Sequence, residues 1–533
     1  MKKTIAILLV AILAVSSVFA AFSGEAKIGF GGNLDNGEFG FIDKSSNVKF
    51  DVDLATADAE AIADGDIYAS IKATFALKLT TGEKKYAEGD PYFGIASSFG
   101  AFDDGNVSLA VIADITEAKV AGENWYVSIL GLSDAPNFAE SAIDTYTVEE
   151  GYDKYGMPRE DFDKAYNYGV AFEKAPGVEV GVFDYVFGVG LLGDYDDDKN
   201  ANLEDKLQFS LYAKTPEYNF GGVIAQFGGV YSYKGKTAAE AADPKNAIGL
   251  SGKVGFANDT LSATVATDVG FNLEEKGKDA FDMDLAANFN WSFLTVDAYY
   301  ATTATTGETP APKYENIVDS NGDITGIYVT DWDNTVKETT EDILSFQAKF
   351  DLNAFNVPVA LTASVKDVLK TVELGVKAEV TAVENLTITA NAGYVINTVD
   401  AYDKDVNDWA KDNDIFMGQW KVGADVEYDF GFAKVSGGIE AKNLGYAKVL
   451  TDESKLSEDV LKEAAKKNNY DNYLANQVIL GVSLGVETDS IIPGATLAVK
   501  WENADDLLGI YKYNADTDTY NYGKITASCK IAF

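Results

Sequence analysis

The chain has no histidine, one arginine (Arg159), one cysteine (Cys529) and only 10 prolines among 533 residues. Without histidine it lacks the commonest general base, the Ser-His and Asp-His hydrolytic arrangements and any histidine-ligated metal centre. Paired carboxylates do occur, but among 84 acidic residues they arise by chance everywhere, so no catalytic residue, enzyme activity or cofactor is assigned. One cysteine excludes an intrachain disulfide. One arginine excludes a ladder of arginines, so lysines must supply any positive wall. After residue 20 no stretch approaches 18 apolar residues, so no later segment could cross a bilayer as a helix.

The one long apolar run lies at the start. Lys2 and Lys3 precede Ile5 to Val15, and Val18-Phe19-Ala20 follows as a small-residue cleavage site, so residues 1–20 read as a secretory signal peptide. The mature chain, 21–533, is then an exported protein. Without the two signal lysines, 41 bases stand against 84 acids, a formal charge of −43. That balance argues against nucleic acid or anionic headgroups as partners, and for soluble, mutually repelling loops able to gather divalent cations.

What the chain has in abundance is alternation. Ile525, Ala527, Cys529, Ile531 and Phe533 share one face of a terminal strand, and Lys524, Thr526, Ser528 and Lys530 share the other. Val48 to Leu54, Ile67 to Leu79 and Val372 to Val380 repeat the pattern, as do some sixteen further runs. With no spanning helix, a membrane reading requires a closed barrel, because lipid offers no partner to an open sheet edge. The expected fold is an all-β transmembrane antiparallel barrel of 18 to 22 strands, with 20 as the best count. The region from Ala26 to Thr116 yields four or five strands, and an even total requires rejecting one.

Loop lengths sort by parity. Short turns are expected at 488–494, 429–431, 382–385, 353–356, around Ser292, at 257–260 and at 215–219. Long loops are expected at 503–523, 443–476, 397–418, 302–342 and 234–247, all on the opposite, extracellular side. Acidity follows the same partition. Loops 132–167 (−6), 190–204 (−4), 302–342 (−7), 397–418 (−4), 443–476 (−1) and 503–523 (−3) together hold −25, whereas polar strand faces carry near-balanced Lys and acid. Lys72, Lys377, Lys421, Asp425 and Glu427 are the candidate pore-wall residues, and Ile525, Ala527, Cys529, Ile531 and Phe533 the candidate assembly signal.

Three loop features stand out. Residues 454–467 have helical spacing and predict a short amphipathic helix. Asp319 to Asp323 reads as the turn of a hairpin inside the longest loop. Asp194, Asp196 and Asp198, with Asn200 and Asn202, mimic calcium-loop spacing, but Lys199 stands where that loop needs glycine and position 12 is Asp205. An acidic solvated loop fits those residues better than a metal site.

With Ser17-Val18-Phe19-Ala20, the opening Phe22 to Phe30, the acidic Tyr- and Gly-rich alternation and the ending Lys530-Ile531-Ala532-Phe533, the chain resembles the major outer sheath protein family of oral treponemes. The resemblance implies an abundant homo-trimer in the outer membrane that acts as a large-channel porin, an adhesin for host matrix proteins and a surface antigen. Outer-membrane lipid and the barrel-assembly machinery would be its other partners. The function expected is therefore a water-filled diffusion porin with exposed adhesive loops. The alternatives are a non-channel adhesin or array protein anchored by the same barrel, an energised transporter, which would need a plug domain before the first strand, and a soluble secreted β-protein.

Overall fold

Side chains that alternate apolar and polar favour extended chain, because each then meets its like on one face of the pleat. A computed structural model describes residues 22–34, 37–41, 47–55, 67–81, 97–98, 107–143, 177–192, 208–234, 246–273, 281–305, 311–318, 324–333, 340–366, 368–369, 372–395, 419–443, 449–450, 473–474, 478–492, 494–503 and 523–532. Twenty-five of its strands form one antiparallel sheet. Three of these pair on one side only, and the other 22 make a closed ring.

The ring begins with β1 (Phe22–Asn33), β2 (Asn47–Ala55), β3 (Tyr68–Thr81), β4 (Val107–Gly122), β5 (Trp125–Leu130), β6 (Gly177–Val182) and β7 (Tyr185–Leu192). It continues through β8 (Gln208–Lys214), β9 (Val223–Lys234), β10 (Asn246–Ala257), β11 (Leu261–Asn272), β12 (Phe281–Trp291), β13 (Leu294–Thr305) and β14 (Thr340–Asp351). The last eight are β15 (Val359–Lys366), β16 (Glu373–Val383), β17 (Leu386–Val395), β18 (Gln419–Asp429), β19 (Lys434–Asn443), β20 (Val478–Ile492), β21 (Ala495–Glu502) and β22 (Lys524–Ala532). Each strand pairs with the next, and β22 closes on β1 from Glu25↔Ala532 to Asn33↔Lys524. The chain is thus an antiparallel β-barrel, two strands larger than the best count of 20 and within the expected range. Four wall strands, β1 to β4, come from the N-terminal region where four or five were drawn.

Glu38–Phe41 extends β2 along β1. Tyr218–Phe220 extends β8 along β9 past an irregularity at 215–217. The turn expected at 215–219 therefore lies instead at Gly221-Gly222, both at positive φ, where a two-residue connection matches strand twist at little cost for glycine.

Connections alternate as expected between a short-turn end and a long-loop end. Turns of two residues join β4 to β5, β6 to β7, β12 to β13 and β16 to β17, while the gaps at 193–207, 396–418, 444–477 and 503–523 open at the other end. The connection between β13 and β14 holds the hairpin Ala311–Val318 with Ile324–Asp333. That hairpin pairs through Ile327↔Leu474 with a strand of the loop after β19, so two distant loops share a separate four-stranded sheet. The helix expected at 454–467 lies outside the described residues.

The two faces of the ring differ chemically. Leu211, Val254, Val265, Leu374, Val376, Val426, Ile439, Leu484 and Val499 project from one face and are exposed. Aromatic rings mark both margins of that face. At the short-turn end Phe293 meets Phe355, and Phe430 lies between Tyr428 and Phe432; at the long-loop end Phe271 meets Phe281, and Phe209 meets Tyr231 and Tyr233. An apolar band between two aromatic girdles is the pattern a bilayer selects, since amphipathic rings settle at its interfaces. The opposite face carries the polar residues.

Two outcomes test this wall. Ile531 is on the apolar face of β22, in register with Ala26 and Ala495. Changing Ile531 to Asp puts a charge against lipid, at about 1 kcal/mol near an interface and more toward the midplane. The heat-modifiable folded band in outer-membrane fractions should fall sharply while export continues, and a normal folded yield would refute the outward placement. Replacing 306–339 by a short Gly-Ser turn removes no β13–β14 pair among those described, so a heat-modifiable barrel should persist. Loss of that barrel would show the segment to be needed by the wall.

Candidate functional site: a strap on the inner wall

The wall is interrupted after β5. This strand has six residues, against 16 for β4 beside it, and ends at Gly131, whose φ of 68° turns the chain out of the sheet. Residues 132–143 then run without regular structure across the polar face as a strap.

Four strands supply its hydrogen-bond partners. At the start, Glu179 of β6 accepts hydrogen bonds from the Ser133 backbone N–H (2.8 Å) and hydroxyl (3.1 Å) and from the Tyr126 hydroxyl (2.7 Å), and the Tyr212 hydroxyl also donates to it. Ser251 of β10 donates to the Pro136 carbonyl at 2.7 Å. Asp268 of β11, wholly buried, accepts from the backbone N–H groups of Phe138 (3.0 Å) and Ala139 (2.7 Å). Gln347 of β14 donates to the Ala142 carbonyl at 2.9 Å and lies 3.3 Å from Asp297 of β13. Apolar contacts secure both ends. Leu132 packs with Val186, Tyr212, Val230 and Ala247, and Ile143 packs against Tyr299, Ala301 and Ile343.

Length shows that this face is the concave one. Eight inter-strand steps separate β6 from β14, an arc of about 38 Å at ~4.8 Å per step. Ser133 to Ala142 spans at most about 32 Å even when fully extended. A segment shorter than the arc reaches both ends only by cutting the chord, so the strap lies inside the barrel. Its anchors sit near mid-strand, which places it near mid-height. Close approach is possible because Gly228 has no side chain: a Cβ there would stand 2.4 Å from the Pro136 Cβ. The outward side of the strap, Asp134, Glu140 and Ser141, is exposed within the barrel.

The strap corrects the reading of 132–167 as wholly an outer acidic loop, since 132–143, with Asp134 and Glu140, belongs to the interior. Low charge density was the available signal: 132–143 holds two acids and no base, and Pro136 and Ala139 turn toward the wall. Asp268 was equally unmarked, an acid between the small inward residues Ala266 and Gly270.

The residues singled out from sequence fall as follows. Lys72, Lys377, Lys421, Asp425 and Glu427 are all on the polar face. Lys72 pairs with Glu117 at 2.9 Å, Lys421 with Glu440 at 3.4 Å and Glu427 with Lys434 at 3.5 Å. Asp425 lies over Gly438, and Lys377 is in register with Thr362 and Asn391. Ile525, Ala527, Cys529 and Ile531 lie on the apolar face beside Trp501, Val499, Leu497 and Ala495. Phe533 and Asp194, Asp196 and Asp198 are outside the described residues, among which no cluster of three metal-ligating side chains occurs.

No protein-family model and no curated protein matches the chain. Among solved structures it is similar to a mutant Rh. blastica porin, with a TM-score of 0.27, 12% identity, and coverage of 96% of this chain and 99% of that one. It is similar also to the siderophore receptor PirA from Acinetobacter baumannii (TM-score 0.40, 11% identity, 96% and 80% covered). A third similarity is to the P pilus usher PapC translocation pore (0.34, 7%, 96% and 99%).

The latch makes its own prediction. Each hydrogen bond to a charged acceptor contributes roughly 1.5–3 kcal/mol. Changing Asp268 to Ala removes two of them from the strap and none from the ladder, so the barrel should stay heat-modifiable while single-channel conductance rises or becomes noisier. Asp268→Asn, which keeps one acceptor oxygen, should fall between. Unchanged conductance in Asp268→Ala would show that the strap does not bound the conducting path.

Proposed function

We propose that the protein is an outer-membrane diffusion porin whose bore is narrowed by the strap. The observation that supports this best is the state of the inward charges. Lys434, Glu427 and Lys500 are each about half exposed on the inner wall, as expected for side chains bathed by water inside the ring. A ring of 22 strands is wider than the 16 to 18 of water-filled porins, and barrels of that size commonly carry an internal obstruction. Here residues 132–143 narrow it from the wall. The apolar band and its girdles support placement in a membrane, and strands rather than helices make the crossing.

The long acidic loops are the surface through which an adhesin or antigen would act, and the shared sheet of 311–318 and 324–333 with 449–450 and 473–474 gives part of it a defined backbone. Trimer formation and host matrix binding are expectations of the family resemblance. A non-channel anchor would have the same wall, and conductance separates the two.

In a planar bilayer the purified protein should open stable, weakly selective pores. Acidic loops concentrate cations at the mouth, but at physiological salt a Debye length of about 8 Å confines that effect to the entrance. Reversal potentials under a salt gradient should therefore show mild cation preference at low salt that fades as salt rises. Absence of conductance would leave the anchor reading, and strong anion selectivity or salt-independent selectivity would overturn the charge argument.

A further inference from the structure

The inner wall divides into two arcs that satisfy most of their charges differently, although Lys253 pairs with Glu217 at 2.7 Å on the strap's side. Beneath the strap, Glu179, Asp268 and Asp297 are held by N–H and O–H donors, and the inward phenols of Tyr126, Tyr212 and Tyr299 are turned to Glu179 and Asp284. From β18 through the closing seam to β4, ion pairs take over. Glu427 meets Lys434 near the short-turn end, and Glu440 lies 3.4 Å from Lys421 and 3.6 Å from Lys442 near the long-loop end. Glu502 is 2.5 Å from Lys500 and 3.7 Å from Lys524, Glu25 is 2.6 Å from Lys530, and Lys72 is 2.9 Å from Glu117. The pairs are staggered in height, so both signs recur along the length of the wall.

From this juxtaposition we infer that the ion-paired arc is the permeation path and that it favours small zwitterionic solutes such as amino acids and short peptides. This rests on the diffusion-porin reading. Glu427–Lys434, Glu25–Lys530 and Lys72–Glu117 are partly exposed, and pairs of that kind are weak, so they exchange readily with a passing solute. A zwitterion offers a carboxylate to a lysine and an ammonium to a glutamate at once, and leaves no wall charge unpaired. A simple ion matches one member of each pair and is repelled by the other. A neutral sugar gains no charge contact.

Swelling of proteoliposomes containing the full-length mature protein tests the inference with glutamine and arabinose, a zwitterion and a sugar of nearly equal mass. Glutamine should enter about two- to fivefold faster, the factor expected for contacts of exposed-pair strength. Combining Lys434→Gln, Lys500→Gln and Lys524→Gln removes the partners of Glu427 and Glu502 and should bring the ratio well down toward one, leaving arabinose entry unchanged, because solute-matching pairs are lost without altering the bore. Lys434→Gln alone, at the exposed start of β19, should lower the ratio partway and serves if the triple variant fails to assemble. Equal entry of the two solutes in the wild type, or a ratio that survives these substitutions, would overturn the inference while leaving the porin reading in place. Entry of neither solute into liposomes holding heat-modifiable barrel would overturn the porin reading itself.

Discussion

The pairing of β22 with β1 is the interaction on which the remaining structure depends. In hydrocarbon a backbone N–H or C=O without a partner costs several kcal/mol, and an open sheet edge would present a row of them. The register from Glu25↔Ala532 to Asn33↔Lys524 removes both edges at once. Once the ring is closed, each strand has one face toward lipid and one toward the interior, and the alternation along every strand becomes a statement about two solvents.

Closure also creates the conditions for the strap. Inside a ring, charged and polar side chains from non-adjacent strands converge on one space, and a segment that leaves the wall can be held by several of them. Asp268 works as a latch because its carboxylate is wholly buried and receives two backbone donors that would otherwise lack partners at that depth. Glu179 does the same at the other end through Ser133 and two phenols. The strap's short length makes it a chord, so the barrel interior is asymmetric among the described residues: one arc is hydrogen-bonded to the strap, and the other is laced with ion pairs.

Much of the wall was legible in the sequence. Runs such as Ile67 to Leu79 and Val372 to Val380 declare their two faces because side-chain direction in a strand has a period of two, a purely local rule. The parity of short turns and long loops was legible too, since consecutive antiparallel strands must alternate ends. The best count is two short of 22, and the turn after β8 lies beyond 215–219, because Tyr218 to Phe220 resumes pairing with β9 after the irregularity, a long-range register that local alternation does not carry.

Apart from its low charge density, nothing local distinguishes 132–143 from any other segment that leaves a strand. Its position is set by Glu179, Ser251, Asp268 and Gln347, residues between 46 and 205 positions away in sequence from the strap groups they bind. The separation of ion-paired from strap-covered wall has the same origin, because which strands face one another across the interior depends on ring size and closure. The sequence by itself determined that this chain is a wall with one apolar and one polar side. Only the tertiary structure decided how many strands complete the wall and what lies within it, because alternation is a property of neighbouring residues and enclosure a property of the whole ring.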